Sequence, residues 1–248
     1  FKKIFYKGIR ITEYSGITIK NNIREKVYIE VGKLKVCIDI TDIHWVLCLE
    51  PIVFGVWLTN EKGHSGLCSM GNNGFKMIFK DQTAERPQMS GSEKILAIVD
   101  LDLFEKIEES DGTLLLFKYK KSRLFHTNYF ETRFLFSRYY RKPALGLQKF
   151  KSLVAAYSYP RKVRIISFKE DDYCNIFPMD LVGQISGGRR YVFGLRHTNQ
   201  SLSRIIETKK MLVSEVSFVY WDLIYKLGKH HSATLPALNE LPFKTSPS

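Results

Sequence analysis

The chain has 248 residues, of which 44% are hydrophobic, 13% aromatic and 25% charged. This globular composition excludes collagen-like, low-complexity and long disordered classes, and the length suits one large domain or two smaller ones. A formal charge of +13 suits an anionic partner, phosphate or nucleic acid, but specifies neither fold nor chemistry.

The longest apolar runs, Trp45 to Leu49 and Ile52 to Leu58, are separated by Glu50 and Pro51. They fall short of the roughly 20 residues of a spanning helix, so no membrane segment is expected. No secretory signal pattern is visible, and the opening on Phe1 rather than Met leads us to expect a fragment. Cys37, Cys48, Cys68 and Cys174 form no Cys-x-x-Cys pair, which argues against a zinc knuckle or a disulfide framework and fits a reducing cytoplasm.

The first elements are strands. Val27–Val31, Leu34–Ile40 and Ile52–Leu58 are rich in β-branched and aromatic residues and separated by Gly32 or Pro51. Residues 62–91 are punctuated by glycine and read as loop around a short strand, Lys76–Phe79. Asp102 and Glu105 have capping-box spacing, with Leu103, Phe104 and Ile107 as a stripe and Gly112 beyond, which predicts a short helix. Thr113–Tyr119 reads as a strand.

Lys118, Lys120, Lys121, Arg123, Arg133, Arg138, Arg141 and Lys142 then alternate with Tyr129, Phe130, Phe134 and Tyr139 against the single acid Glu131. Cations that neutralise phosphates, set among rings that stack on bases, suit a nucleic-acid surface. The plainer alternative is a β-hairpin with aromatic residues inward and basic ones outward, Arg133–Arg138 being one strand.

After Pro143, the residues Leu147, Phe150, Leu153, Val154 and Tyr157 give a helix ended by Pro160, and a domain join is expected near 144–160. Strands are predicted at Val163–Phe168, Tyr173–Phe177, Tyr191–Leu195 and Met211–Val216, with turns at Glu170–Asp172 and Gly187–Gly188. Thr198 and Asn199 suit the N-cap of a helix over Ser201–Lys210. A last helix over Val216–Leu227 is predicted to end at Gly228.

Two places carry candidate chemistry. Leu195-Arg-His-Thr-Asn-Gln-Ser201 sets Arg196, Thr198, Asn199 and Ser201 at a helix N-terminus, where unpaired N–H groups favour an anion such as phosphate. The alternative is an ordinary helix cap beside a solvated arginine. Asn175-Ile-Phe-Pro-Met-Asp180 offers an amide, a carboxylate and apolar surface, the mixture a flat heterocycle requires. A strand followed by a proline turn would look the same. His230 and His231, being adjacent, would face opposite ways in an extended segment and make a poor metal pair.

The segments Pro160-Arg-Lys-Val-Arg-Ile-Ile-Ser-Phe168, Tyr173-Cys-Asn-Ile-Phe-Pro-Met-Asp-Leu181, Gly194-Leu-Arg-His-Thr-Asn199 and Tyr225-Lys-Leu-Gly-Lys-His-His231 together resemble the flavin reductase-like family of FMN-binding split β-barrels. The resemblance implies Asn175, Phe177, Pro178, Met179 and Asp180 near the flavin ring and Arg196, Thr198 and Asn199 near its phosphate, with Ser201, Lys229 and His230 as further candidates. It also implies a homodimer that binds FMN or FAD and takes hydride from NAD(P)H, and further barrel strands beyond Ser248.

The expected fold class is therefore mainly β with α (α+β). A β-rich region of unknown type would occupy residues 1–144, and a C-terminally incomplete split-barrel domain residues 145–248. The expected function is a cytoplasmic flavin reductase-like oxidoreductase. The alternatives are a nucleic-acid-binding protein using residues 118–142, or a flavin-binding protein without reductase turnover.

Overall fold

A computed structural model describes residues 25–32, 36–60, 74–81, 94–139, 146–170, 173–185, 187, 190–195, 197, 199 and 201–229. They fall into two units. The larger holds 25–162 together with 180–194, and the smaller holds 163–179 and 195–229.

In the larger unit, β1 (Glu25–Val31), β2 (Val36–Asp39), β3 (His44–Leu49), β4 (Ile52–Thr59), β5 (Phe75–Asp81), β6 (Lys94–Glu109) and β7 (Gly112–Leu124) form an antiparallel sheet ordered β2-β1-β5-β6-β7-β4-β3. Alternate side chains turn to one face: Val27, Ile29 and Val31 on β1, Phe75, Met77 and Phe79 on β5, Ala97, Val99 and Leu101 on β6, Leu115 and Phe117 on β7. They join one apolar cluster with Phe54 and Val56 of β4. The period of two in the sequence thus becomes a single buried surface.

The edge strands β2 and β3 are consecutive in the chain, joined only by residues Ile40–Ile43. Seven flat strands spaced by about 4.8 Å would hold their edges about 29 Å apart, whereas this link reaches no more than about 18 Å. The sheet therefore curls. The link is tied to both flanks, Ile40 N–H donating to Val27 O at 2.8 Å and Trp57 N–H to Ile43 O at 2.9 Å. Thr41 Oγ1 accepts from Val27 N–H at 3.0 Å and donates to Asp39 Oδ1 at 2.5 Å.

His44 secures the same link. Its Nδ1 lies 2.8 Å from Ile40 O and 3.1 Å from Thr41 O, so Nδ1 carries the proton. The ring packs edge-on against Tyr159 and Phe79. Burial lowers its pKa from 6.5 to about 4, and burial likewise pushes the Tyr159 hydroxyl up to about 12.

Helices α1 (Tyr129–Tyr139) and α2 (Leu147–Ala156) follow β7. Leu153, Ala155 and Ala156 of α2 enter the core of the curled sheet, and Ser152 Oγ bonds Ser122 Oγ of β7 at 2.7 Å. The helix that the sequence groups with 145–248 therefore packs on the sheet of residues 25–124. The hairpin of β10 (Val182–Ile185) and β11 (Arg190–Phe193) covers Trp57 and Leu114 on the outer face with Ile185 and Val192.

The predicted helix over 102–112 is instead the outer part of β6. Its residues pair in register with β7 from Ala97↔Leu124 to Glu109↔Gly112, with shifts at Asp100/Leu101 and Leu103/Glu105. Cross-strand bonds outweigh the local capping signal. Gly112 is required by close approach rather than as a helix cap, since a Cβ there would lie 2.4 Å from Leu58 O and 2.6 Å from the Trp57 ring.

Conversely, Arg133–Arg138 lies in helix α1 and not in a strand. Asn128 and Glu131 cap it reciprocally: Glu131 N–H donates to Asn128 Oδ1 at 2.8 Å and Asn128 N–H to Glu131 Oε2 at 3.1 Å.

The smaller unit has a three-stranded antiparallel sheet, β12-β8-β9, formed by β8 (Arg164–Glu170), β9 (Tyr173–Met179) and β12 (Leu212–Ser214), with helices α3 (Ser201–Thr208) and α4 (Trp221–Lys229). Ile165 and Leu227 pack with Ile176, Val216 and Ile224, which seats α4 on one face of that sheet. The predicted helix over 216–227 begins instead as a 3-10 turn at Phe218–Tyr220, and Gly228 lies inside α4, with room for a Cβ at 3.5 Å from Pro178. Sheet with few helices agrees with the α+β expectation. No described helix is long and apolar enough to cross a membrane.

His44 makes the larger unit sensitive to acid. Its folded value lies below that of the unfolded chain, so its contribution is complete above pH 6.5 and falls away as the pH drops toward 4, by about 3 kcal/mol in all. Urea unfolding followed by Trp45 and Trp57 emission should show this loss between pH 7 and pH 4, and His44→Asn, which keeps a donor near the Nδ1 position, should flatten it. By the same readout Gly112→Ala should destabilise the unit by about 1–3 kcal/mol through overpacking.

Candidate functional site

Strand alternation divides the residues of β9. Tyr173, Asn175, Phe177 and Met179 share one face, opposite Glu170, Phe168, Ile166 and Arg164 of β8. Cys174, Ile176 and Pro178 take the other face, where α4 packs. Consecutive residues of this strand cannot all meet one flat ring. Phe177 and Met179 are buried within the protein.

Asn175 lies beside the N-terminus of α3. Its Nδ2 donates to Ser201 Oγ at 2.7 Å, and Tyr173 Oη lies 3.0 Å from the same oxygen. Ser201 is fully buried. Asn199 caps the helix, its Oδ1 accepting from Ser201 N–H at 2.9 Å and its carbonyl from Leu202 N–H at 3.0 Å. These are the local bonds that an Asn two residues before a helix start makes readily.

One turn into α3, the Arg204 guanidinium lies 4.4 Å above the Tyr173 ring and donates to Glu170 Oε2 at 3.2 Å. The result is a contiguous polar group of Glu170, Tyr173, Asn175, Asn199, Ser201 and Arg204. Its hydroxyl, amide and guanidinium groups bond one another and Glu170 beside the first turn of α3, the positive end of the helix dipole.

The structure thus brings together Asn175, Asn199 and Ser201 from two segments of the sequence. Asp180 belongs to the larger unit, where its carboxylate pairs with Arg161 at 2.7 Å, and the Arg161 guanidinium stacks 4.3 Å above Tyr157. Arg196, Thr198, His230 and the side chain of Lys229 lie outside the described residues.

Tyr173, Arg204 and Glu170 were not singled out from sequence, although two spacings point to them. Tyr173 is two residues before Asn175 on a strand, and Arg204 three residues after Ser201 on a helix. At the other end of β8, opposite Met179, the buried Arg164 donates to Glu215 at 3.3 Å.

The basic stretch is distributed over two elements. On β7, Lys118 and Lys121 stand opposite Asp102 and Asp100 of β6, and Lys120 pairs with Asp102 at 3.3 Å. Arg133 lies on α1, whereas Arg141, Lys142 and the side chains of Arg138 and Tyr139 lie outside the described residues.

No protein-family model matches the chain, and no curated protein does. Among solved structures it is similar to the flavin reductase of styrene monooxygenase from Pseudomonas putida S12, with 12% identity over 41% of this chain and 80% of that one and a TM-score of 0.31. An NADH:FAD oxidoreductase of Streptomyces globisporus C-1027 is similar at 13% identity over 41% and 76% with a TM-score of 0.31. An FMN-binding protein from Thermus thermophilus is similar at 14% identity over 47% and 82% with a TM-score of 0.32. Each of these likenesses covers less than half of this chain.

The Ser201 network has an energetic signature. Ser201→Ala strands the Asn175 amide and the Tyr173 hydroxyl and should lower stability by about 1–2 kcal/mol. A double-mutant cycle with Asn175→Ala, measured by urea unfolding, should return a coupling of about 1 kcal/mol rather than simple additivity.

Proposed function

We propose that the smaller unit binds a flavin nucleotide through its phosphate and that the protein is a flavin reductase-like oxidoreductase using NAD(P)H. The observation that carries this reading is the Asn175–Ser201 hydrogen bond of 2.7 Å. It joins the segment that resembles a flavin-ring motif to the segment that resembles a phosphate motif.

The donor set fits the phosphate end of such a ligand. Asn175, Tyr173 and Arg204 gather at the N-terminus of α3, where the helix dipole favours negative charge. Arg196 and Thr198, which precede this helix in the sequence, would add a guanidinium and a hydroxyl. Phe177 and Met179, on the same face of β9 as Asn175, are buried, so their part is to anchor the strand that carries Asn175.

When bound, a flavin supplies the hydride chemistry, accepting two electrons from the reduced nicotinamide and delivering them to an acceptor. The chain itself anchors the phosphate, orients the nucleotide and sets the charge around it. No catalytic acid or base is required of it. FMN and FAD both carry the phosphate that this reading needs, and a homodimer belongs to the same proposal.

A titration of FMN with the purified chain, read by flavin fluorescence and the visible absorption band, tests the proposal. Quenching at micromolar protein is expected, weaker with riboflavin, which lacks the phosphate, and about tenfold or more weaker when Arg196 and Thr198 are changed to Ala. NADH or NADPH oxidation should then depend on added flavin. Failure of both flavin binding and flavin-dependent oxidation would sink the reading.

A further inference from the structure

Helix α1 presents an unusual face to solvent. Phe130 is 82% exposed, Tyr129 57% and Phe134 47%, and Phe125 in the preceding turn is 52% exposed. Side chains of this size are rarely left in water as a contiguous group unless they meet a partner.

The spacing shows that they form one surface. Tyr129 and Arg133 are four residues apart, as are Phe130 and Phe134. At about 100° per residue the two pairs lie side by side within about 140° of arc. The adjoining arc of the helix makes the tertiary contacts: Thr132 is buried, and Phe136, three residues after Arg133, packs against Phe150 of α2 with ring centroids 5.7 Å apart. The exposed rings border that packed arc and carry aromatic surface from it out to solvent.

Charge narrows the choice of partner. Arg133 lies between Tyr129 and the Phe130–Phe134 pair, its guanidinium 5.6 Å from the Tyr129 ring centre, and Arg123 is exposed at the end of β7. The single acid of the helix, Glu131, lies off this face and is engaged in the cap with Asn128. A helix that enters a lipid interface keeps its cations on the polar side, whereas here the cation sits among the rings. Alternating ring and guanidinium is the arrangement that stacks on unpaired bases while neutralising the phosphates between them. The lysines of β7 are poorer candidates, because Asp100 and Asp102 stand across from them.

We propose that the Tyr129, Phe130, Arg133 and Phe134 face of α1 is a docking surface for single-stranded nucleic acid. It is independent of the flavin reading, which concerns the smaller unit.

Fluorescence anisotropy of a labelled oligothymidylate, titrated with the whole chain at several salt concentrations, tests it. Phe130→Ala and Phe134→Ala should each weaken binding roughly tenfold. Phe130→Tyr, which keeps a stacking ring, should bind like the wild type, and Phe130→Leu, which keeps only apolar surface, should not. Arg133→Gln should reduce the slope of log affinity against log salt by about 0.7, whereas Lys118→Gln with Lys120→Gln should change little. All five positions are exposed, and circular dichroism verifies that each variant is folded.

Absence of oligonucleotide binding overturns the proposal, as does binding that survives both Phe→Ala changes but is lost with the β7 lysines. Co-sedimentation with phosphatidylglycerol vesicles that depends on Phe130 and is retained by Phe130→Leu would overturn it in favour of a membrane surface.

Discussion

Four residues, Ile40–Ile43, hold the two edges of a seven-stranded sheet together, and most of the larger unit follows from that short link. Because β2 and β3 are neighbours in the chain but lie at opposite ends of the strand order, the sheet has to curl, and its inward side chains then face one another. That is why alternate residues from six strands converge on one cluster and why α2 can cover it with small residues such as Ala155 and Ala156. The link's own polar groups are bonded within it: Thr41 to Asp39 and Val27, and His44 to two carbonyls. A neutral imidazole is the species this geometry selects, since a charged one would be desolvated with no carboxylate bonded to it.

The smaller unit solves a different problem. A three-stranded sheet is marginal alone, and here α4 packs on one face while the start of α3 is bonded to β9. Ser201 is the pivot of that second contact. Buried and bonded by both Tyr173 and Asn175, it fixes the helix start relative to the strand, so the positive end of the helix lies next to an amide, a phenol and a guanidinium. Such a group is held mainly by its own internal bonds, with Arg204 and Glu170 at the exposed rim. The proposed phosphate site draws on the same bonds that hold the unit together.

Much of the fold could be read from the residues, and the failures have identifiable causes. Strands β1, β4, β8 and β9 announced themselves by β-branched and aromatic runs, α2 by a stripe spaced three and four apart, and α3 by the cap residue Asn199. Strand β6 did not. Asp102 and Glu105 mimic a capping box, and only the register with β7, set by residues up to 27 positions away (Ala97↔Leu124), turns that stretch into a strand. Helix α1 failed in the opposite sense, because Tyr129, Phe130 and Phe134 lie on the solvent side and leave too few inward residues to give a stripe. Its one local signal was the Asn128 and Glu131 pair. Of the candidate site, Asn175, Asn199 and Ser201 were named from sequence, and their meeting was not.

By itself the sequence determined the local preferences: which segments alternate, where helices cap, and which residue types could hold an anion. These depend on a few neighbouring residues and on backbone sterics, so they are written within short windows. Tertiary structure alone decided which of two faces a residue takes and which distant partner it meets. It buried Phe177 and Met179 while leaving Asn175 to bond Ser201, matched the β7 lysines with acids of β6, and turned Phe130 and Phe134 to solvent. Burial and pairing are properties of residues far apart in the chain, set by the closure of a sheet or the docking of a helix, and no short window contains them.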